Sequence, residues 1–470
     1  MKKNILVYTF VASLGGLLFG FDTAVINGAM PFFVKYFTLS DTMKGFAVSS
    51  ALFGCVFGAL FAGKLSDAYG RRYMLRILAV LFFISAIGTG LSINYFIPIN
   101  IHLLGAAINR PVNFGLGFFV LARIIGGLAI GGASVISTVY ISEIAPPKKR
   151  GMLAATFQLA IVVGILIAFS SDLLLVNTGE YNWRWMFLAG CIPALIFFVL
   201  LFYVKRSPRW LVKKGYIDEA KEVLKEVVQA EDCDQTLADI RESIDAEIAN
   251  KSIYLFKKPN LRLVLIGFAV GMFNQFTGIN IIMYYTTDIF RAAGFTTDSA
   301  IAQTVMLGVT NLIFTLIAMS IIDKVGRKTL LLFGSLGMTL FLGLFGFGFI
   351  TNLISGYGLL ALLLGFVACF AASQGAVIWV LLSEMFPNNI RARGSSIGSF
   401  SHWMFNTIIA FIFPVIAGMF GSSFIEQKKG VGIMFIAFAV LTFISYFFFS
   451  KFLFETKGKS LEQLEHDNMR

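Results

Sequence analysis

The chain has 470 residues, of which 57% are hydrophobic, 15% aromatic and 14% charged, and it carries a formal net charge of +12. A soluble domain of that length could not bury so much apolar surface, so the mean hydropathy of +0.80 places the chain among integral membrane proteins. Four scattered cysteines, Cys55, Cys191 and Cys369 in apolar runs and Cys233 in a polar stretch, offer neither a metal spacing nor a disulfide framework; no metal or cofactor is expected.

Met1-Lys2-Lys3 and the apolar run behind it resemble a secretory signal. The run has no small-x-small cleavage site, however, and continues through Asp22 to about Met30, so it reads as a first span. A hydrocarbon core about 30 Å thick takes about 20 helical residues. Twelve segments meet that length, at 5–30, 45–65, 74–97, 113–142, 151–172, 184–204, 261–290, 299–322, 329–350, 358–386, 395–420 and 431–453. In the first of them, "GGLLFGFDTAVINGAMP" carries an aspartate, Asp22, whose ionised form would cost roughly 2.5 to 3.5 kcal/mol in lipid without compensation. The fourth carries Arg123, the one cation left over when every other Lys and Arg is assigned to a loop or tail.

Between the sixth and seventh spans, from about Arg206 to Lys258, charge dominates. The stretch "DEAKEVLKEVVQAEDCDQTLADIRESIDAEIA" has helical apolar spacing, which predicts short amphipathic helices along the membrane surface. The expected organisation is a six-span half over 1–204, a helical linker over 205–258, a second six-span half over 259–453 and a tail over 454–470. With the N-terminus inside, thirty of the 38 Lys and Arg residues fall in cytoplasmic segments and seven in external loops. That asymmetry predicts both termini in the cytoplasm and accounts for the positive charge without a nucleic-acid partner.

The halves echo each other. "GKLSDAYGRR" follows the second span and "IIDKVGRK" the eighth, while "SEIAPPKKRG" ends the fourth and "SEMFPNNIRARG" the tenth, an internal repeat at corresponding positions. Isolated polar residues on apolar spans, Gln158, Gln275, Asn280, Asn311, His402 and Asn406, are candidates to line a cavity for a polar solute. A lone amide in a span otherwise serves to bond a neighbouring helix.

In order along the chain, "GFDTAVING", "DAYGRR", "RIIGGLAIGG", "SEIAPPKKRG", "SPRWL", "QFTGIN", "DKVGRK", "WVLLSEMFP" and "ETKGKSLEQLE" resemble the sugar porter family of the major facilitator superfamily, which includes bacterial proton-coupled xylose and glucose symporters and facilitative glucose transporters. The resemblance implies an all-α membrane protein: twelve transmembrane helices in two pseudo-symmetric six-helix bundles, intracellular helices, and a central site near the bilayer midplane. It maps sugar-binding amides onto Gln158, Gln275, Asn280 and Asn311, and aromatic positions onto Trp379 and Trp403. His402 stands where relatives carry Gln or Asn. Gln275 and Asn280 are five residues apart, so a break at Gly278 is needed for both to face one cavity. Gly375-Ala376 replaces the family's Gly-Pro, so no proline kink is expected there. Trp183 and Trp185 read as interface anchors.

Asp22 and Arg123 are expected to face each other in the first half as a proton switch. Desolvation favours a neutral carboxyl and a guanidinium favours the ionised one, so their separation would set proton affinity; a static packing pair is the alternative. Facilitative relatives lack the acid, which favours symport. Asp67, Arg71, Arg72, Glu143, Arg150, Asp323, Arg327, Glu384 and Arg391 are expected to form ionic contacts gating the cytoplasmic ends. The function implied is import of a monosaccharide together with a proton across a plasma membrane, the inner membrane if the cell is bacterial, by a protein working as a monomer. The alternatives are a facilitative uniporter or a non-transporting sugar sensor. No nucleophile and base pair suggests an enzyme.

Overall fold

The structure, a computed structural model, describes residues 2–103, 106–146, 150–229, 233–249, 260–354, 356–386, 390–421, 424–455 and 457. Twelve of its helical segments are long and apolar enough to cross a membrane. In the first half these are α1 (Lys3–Phe37), α2 (Asp41–Tyr69), α3 (Arg71–Gly90), α4 (Phe114–Ile144), α5 (Arg150–Leu175) and a sixth span made of α6 (Asn182–Ala189) and α7 (Cys191–Leu200). Three short helices follow, α8 (Pro208–Lys213), α9 (Ile217–Val227) and α10 (Cys233–Ala249). The second half holds α11 (Asn260–Phe276) with α12 (Ile279–Ala292) as one span, α13 (Thr297–Val325), α14 (Arg327–Thr351), α15 (Gly356–Phe370) with α16 (Ala376–Glu384) as another, α17 (Arg391–Gly418) and α18 (Phe424–Phe452). The twelve-span helical fold expected from the sequence is therefore present. It gains one element: β1 (Phe96–Leu103) and β2 (Ala106–Asn113) form an antiparallel hairpin between the third and fourth spans, with Phe96 opposite Asn113.

The internal repeat is visible in the backbone. Gly70, between α2 and α3, has φ 95° and ψ 147°; Gly326, between α13 and α14, has φ 100° and ψ 155°. Only glycine adopts that conformation cheaply, and it turns the chain so that Arg71 and Arg327 each open the next helix. The halves meet through α1 with α12, α2 with α17 and α5 with α13. In span numbers these are one with seven, two with eleven and five with eight, and the second and third pairs exchange when six is added to each first-half span. Close approach inside the first half rests on small residues. A methyl at Gly54 or Gly58 of α2 would strike the carbonyls of Ile124 and Leu128, and one at Gly127 or Gly131 of α4 would strike those of Ala51 and Cys55. Two facing small-xxx-small rows let these helices touch backbone to backbone, which packs well where lipid supplies no hydrophobic drive.

The linker helices lie against the first half. Ala220, Val223, Leu224 and Val227 give α9 a buried stripe at helical spacing. Ser207 caps α8 by accepting from the Trp210 amide at 3.2 Å, and the Trp210 indole donates to the Asp67 carbonyl at 3.0 Å. The Tyr8 hydroxyl of α1 donates to Glu226 of α9.

Candidate functional site

One end of the molecule is closed. Where α1 ends and α2 begins, an end expected from the cation distribution to be external, Lys44 of α2 pairs with Asp288 of α12 across the two halves. Nearby the Gln427 amide of α18 donates to Asp41 of α2 at 3.2 Å, and Asn27 of α1 accepts from the Thr287 backbone amide of α12 at 2.8 Å. Lys44 and Asp288 have side chains only 11% and 12% exposed, so the pair is shielded from screening. Lys44→Met is expected to shift the protein toward its externally open form by about 1.5 to 3 kcal/mol, the value of a charge-assisted bond. An impermeant thiol reagent should then label a cysteine placed at Gly308, which packs on Leu166 and Phe169 across the same seam, at least about tenfold faster. Unchanged labelling would show that the pair is no latch.

Below this closure the seventh span breaks. Gly278 has φ 77° and separates α11 from α12, so Gln275 and Asn280 come together: Asn280 Nδ2 donates to Gln275 Oε1 at 2.8 Å. Gln275 Nε2 lies 3.1 Å from Asn274 Oδ1, and 3.0 and 3.1 Å from the two ring nitrogens of His402. Asn274 in turn donates to Gln374 at 3.4 Å. The His402 ring sits between two tryptophans, 4.9 Å from Trp379 and 5.3 Å from Trp403, and Phe19 of the first half lies 5.2 Å from Trp403. The Trp403 indole N–H, Gln158 Oε1, Gln303 Oε1 and Gln374 Nε2 are buried without a partner among the described residues. Uncharged donors and acceptors beside aromatic faces suit a neutral polyhydroxyl ligand, whose hydroxyls need both kinds of partner and whose C–H face lies well on a ring. Asn311 accepts from Thr315 at 3.5 Å on α13 and stands outside this hydrogen-bonded cluster.

Asp22 and Arg123 meet inside the first half. Arg123 Nη1 donates to both carboxylate oxygens of Asp22 at 3.0 Å and to its carbonyl at 3.3 Å, and the guanidinium carbon lies 5.5 Å from the Phe187 ring centre. Arg123 is 2% exposed, while the Asp22 side chain keeps 14%. The cation is thus fixed by burial and by Asp22 itself, and the acid retains a narrow opening. Tyr284 of α12 accepts from Asn406 of α17 at 3.1 Å.

At the opposite end an ionic cluster joins three spans of the first half. Arg71 contacts Asp67 and Glu143, each at 2.8 Å; Lys213 reaches Asp67 at 3.5 Å and Ser207 donates to Glu143 at 2.5 Å. Arg72 donates to the Val204 carbonyl at 3.0 Å. In the second half Glu455 accepts from the backbone amides of Arg327 at 2.8 Å and Lys328 at 3.0 Å. The side chains of Arg150, Asp323, Glu384 and Arg391 lie outside the described residues.

Comparison with known proteins places this geometry. The family model described as "Sugar (and other) transporter" matches residues 8–467. The chain belongs to that family. This sugar transporter is 37% identical to the arabinose-proton symporter of Bacillus subtilis, over 98% of the chain and 94% of that protein. It is also 37% identical to the D-xylose-proton symporter of Escherichia coli, over 99% of the chain and 96% of that protein. Its fold matches the partially occluded inward-open conformation of the xylose transporter XylE from E. coli with a TM-score of 0.82 and 35% identity, covering 97% and 99% of the two chains. The family consists of transporters, not enzymes.

Three features of the transporter depart from the sequence reading. Trp183 is not an interface anchor: it is 0% exposed, packed among Tyr36, Phe37, Phe119 and Phe187, whereas Trp185 is 56% exposed. Where the proline is missing, the tenth span is interrupted by a π-helical turn, Ala371–Gly375. Gln374 joins the polar network through Asn274 although its neighbours in sequence gave no reason to single it out.

Proposed function

We propose that this transporter imports a neutral monosaccharide together with a proton by alternating access, the sugar held between the halves by Gln158, Gln275, Asn280, Asn311, His402, Trp379 and Trp403 and the proton carried at Asp22. The observation that carries the reading is the Asp22–Arg123 contact, in which Nη1 donates to both carboxylate oxygens, a carboxyl whose proton affinity depends on one adjustable neighbour. Relatives named as proton symporters for arabinose and xylose support the same coupling. When the cavity turns, a change in Asp22–Arg123 separation links proton release to sugar release. The ionic cluster of Asp67, Arg71, Arg72 and Glu143, with Arg327 and the partners Arg150, Asp323, Glu384 and Arg391, biases the inner ends between open and closed. The protein works as a monomer with both termini in the cytoplasm of a bacterial inner membrane, its bundles meeting across the 205–258 linker.

Purified protein in liposomes should accumulate labelled sugar against its gradient when the outside is acidified, and only equilibrate without a pH difference. Accumulation indifferent to the gradient would reject symport. Gln275→Ala removes a bond to the sugar and strands its partners, which costs roughly 1 to 3 kcal/mol; the half-saturating sugar concentration is expected to rise about five- to a hundredfold. Unchanged affinity would remove Gln275 from the site.

A further inference from the structure

Asp172 is a second acid inside the spans, at the far end of α5, and the Asp22–Arg123 chemistry makes no use of it. It is 0% exposed, and neither carboxylate oxygen has a hydrogen-bond partner among the described residues. It fits because α1 presents a glycine there: a methyl group on Gly28 would collide with the Asp172 carboxyl. The preceding residue, Asn27, makes the bond to the Thr287 amide that ties α1 to α12 across the halves. Three residues before Asp172, Phe169 packs on Gly308 of α13, again across the halves, and residues three apart on a helix share a face. Asp172 therefore sits in the α1–α5 contact of the first half, within one turn of two residues that touch the second half at its outer seam.

Titratable groups on the packed helices leave it alone. Asp22 of α1 is held by Arg123 of α4, Tyr36 of α1 accepts from Arg184 of α6, Lys35 of α1 is exposed, and Asp298 lies in the first turn of α13. None pairs with Asp172, and on α16 the described side chains include no charge. A carboxylate in that setting has no counter-charge and at most the Gly28 backbone amide as a donor, whereas a protonated carboxyl needs far less.

We propose that Asp172 is a second proton-binding site, one that takes a proton from the external solution as the outer seam closes and returns it there when the seam opens. The step balances: a carboxylate and a hydronium ion give a carboxylic acid and water on closing, and the reverse on opening. Acid outside therefore favours the externally closed form through this residue, independently of the proton that Asp22 carries.

The inference rests on the proposed external opening, and its test needs no sugar, so a failure of the transport reading leaves it interpretable. Infrared spectra of the full chain in lipid nanodiscs are recorded at about pH 5 and about pH 8, a range that spans ordinary carboxyl and histidine titration, and compared between the unmodified protein and its variants at each pH. The unmodified protein should keep a protonated-carboxyl band at the higher pH, and Asp172→Asn should lose it. Gly308→Trp wedges the seam apart, since a built Cβ at Gly308 already lies 3.1 Å from Leu166 and 3.3 Å from Phe169. In that variant the band should convert to carboxylate on raising the pH, and Gly308→Trp with Asp172→Asn should abolish the conversion. If Asp172→Asn leaves the band of the unmodified protein in place, or that band already converts in the unmodified protein through an Asp172-dependent signal, the proposal is overturned. The Asp172→Asn comparison alone decides it should the wedge fail to fold.

Discussion

Asp22→Asn is expected to abolish uphill sugar accumulation while leaving exchange of labelled sugar across the membrane within a few-fold of the unmodified rate. The asparagine keeps the shape beside Arg123 and still offers one oxygen to the guanidinium, so the helices stay in place, but no proton can bind and leave. One proton moving down a gradient of one pH unit releases about 1.4 kcal/mol, which sustains roughly a tenfold sugar gradient for one-to-one coupling. The variant should hold that ratio at about one whatever the imposed pH. Persistent accumulation in Asp22→Asn liposomes would make the contact with Arg123 a packing pair and send the coupling proton elsewhere. Arg123→Met should fail differently, because it leaves Asp22 buried without its cation and drives it to the neutral form; accumulation is lost and folding is weakened as well.

The second large effect concerns the ionic cluster of the first half. The Arg71 and Glu143 side chains are 7% and 8% exposed, so removing one leaves the other buried and uncompensated. Arg71→Met strands the Glu143 carboxylate and is expected to cost about 3 to 5 kcal/mol, the range for breaking a buried pair from one side. Removing both charges with Arg71→Met and Glu143→Met should recover most of that loss, since the residual cost is packing alone. Thermal unfolding in detergent, read as a double-mutant cycle, checks the claim; a loss in the double variant equal to the sum of the two single losses would mean that the two side chains act independently.

The sequence announced those parts of the molecule that depend on composition and local pattern. Twelve apolar runs, the glycine turns of the repeat and the amphipathic α9 each follow from residues close together in the chain. Asp22 and Arg123, a hundred residues apart, became a candidate pair by elimination, being an acid and the one leftover cation among apolar spans. Gln275 and Asn280 were legible as neighbours only because Gly278 stands between them. Other features depended on distant partners. Asp172 closes the expected fifth span and passed for a boundary residue; its burial is set by the missing side chain of Gly28, which no local pattern reveals. Trp183 sits at the start of a span, where rings commonly meet the lipid interface, and only the aromatic side chains converging from α1, α4 and α6 make it interior. Glu455 reads as one more charge in a polar tail, yet it caps the start of α14 from well over a hundred residues away. The hairpin did leave a trace: in "FIPINIHL" isoleucine recurs at every second position, the strand period.

The π-helical turn at Ala371–Gly375 gives the tenth span a joint of a particular kind. A pyrrolidine ring welds a bend to one peptide, because the lost amide and the ring's bulk cannot move along the chain. A widened turn is held by hydrogen bonds alone, here including the Ser373 hydroxyl on the Cys369 carbonyl at 2.6 Å, and those bonds exchange partners without any covalent obstacle. The crease in this helix therefore has no covalent anchor, and a shift of the widened turn by one residue would rotate Gln374 and Trp379 about the helix axis, tying the orientation of the proposed sugar contact Trp379 to the bending of the span.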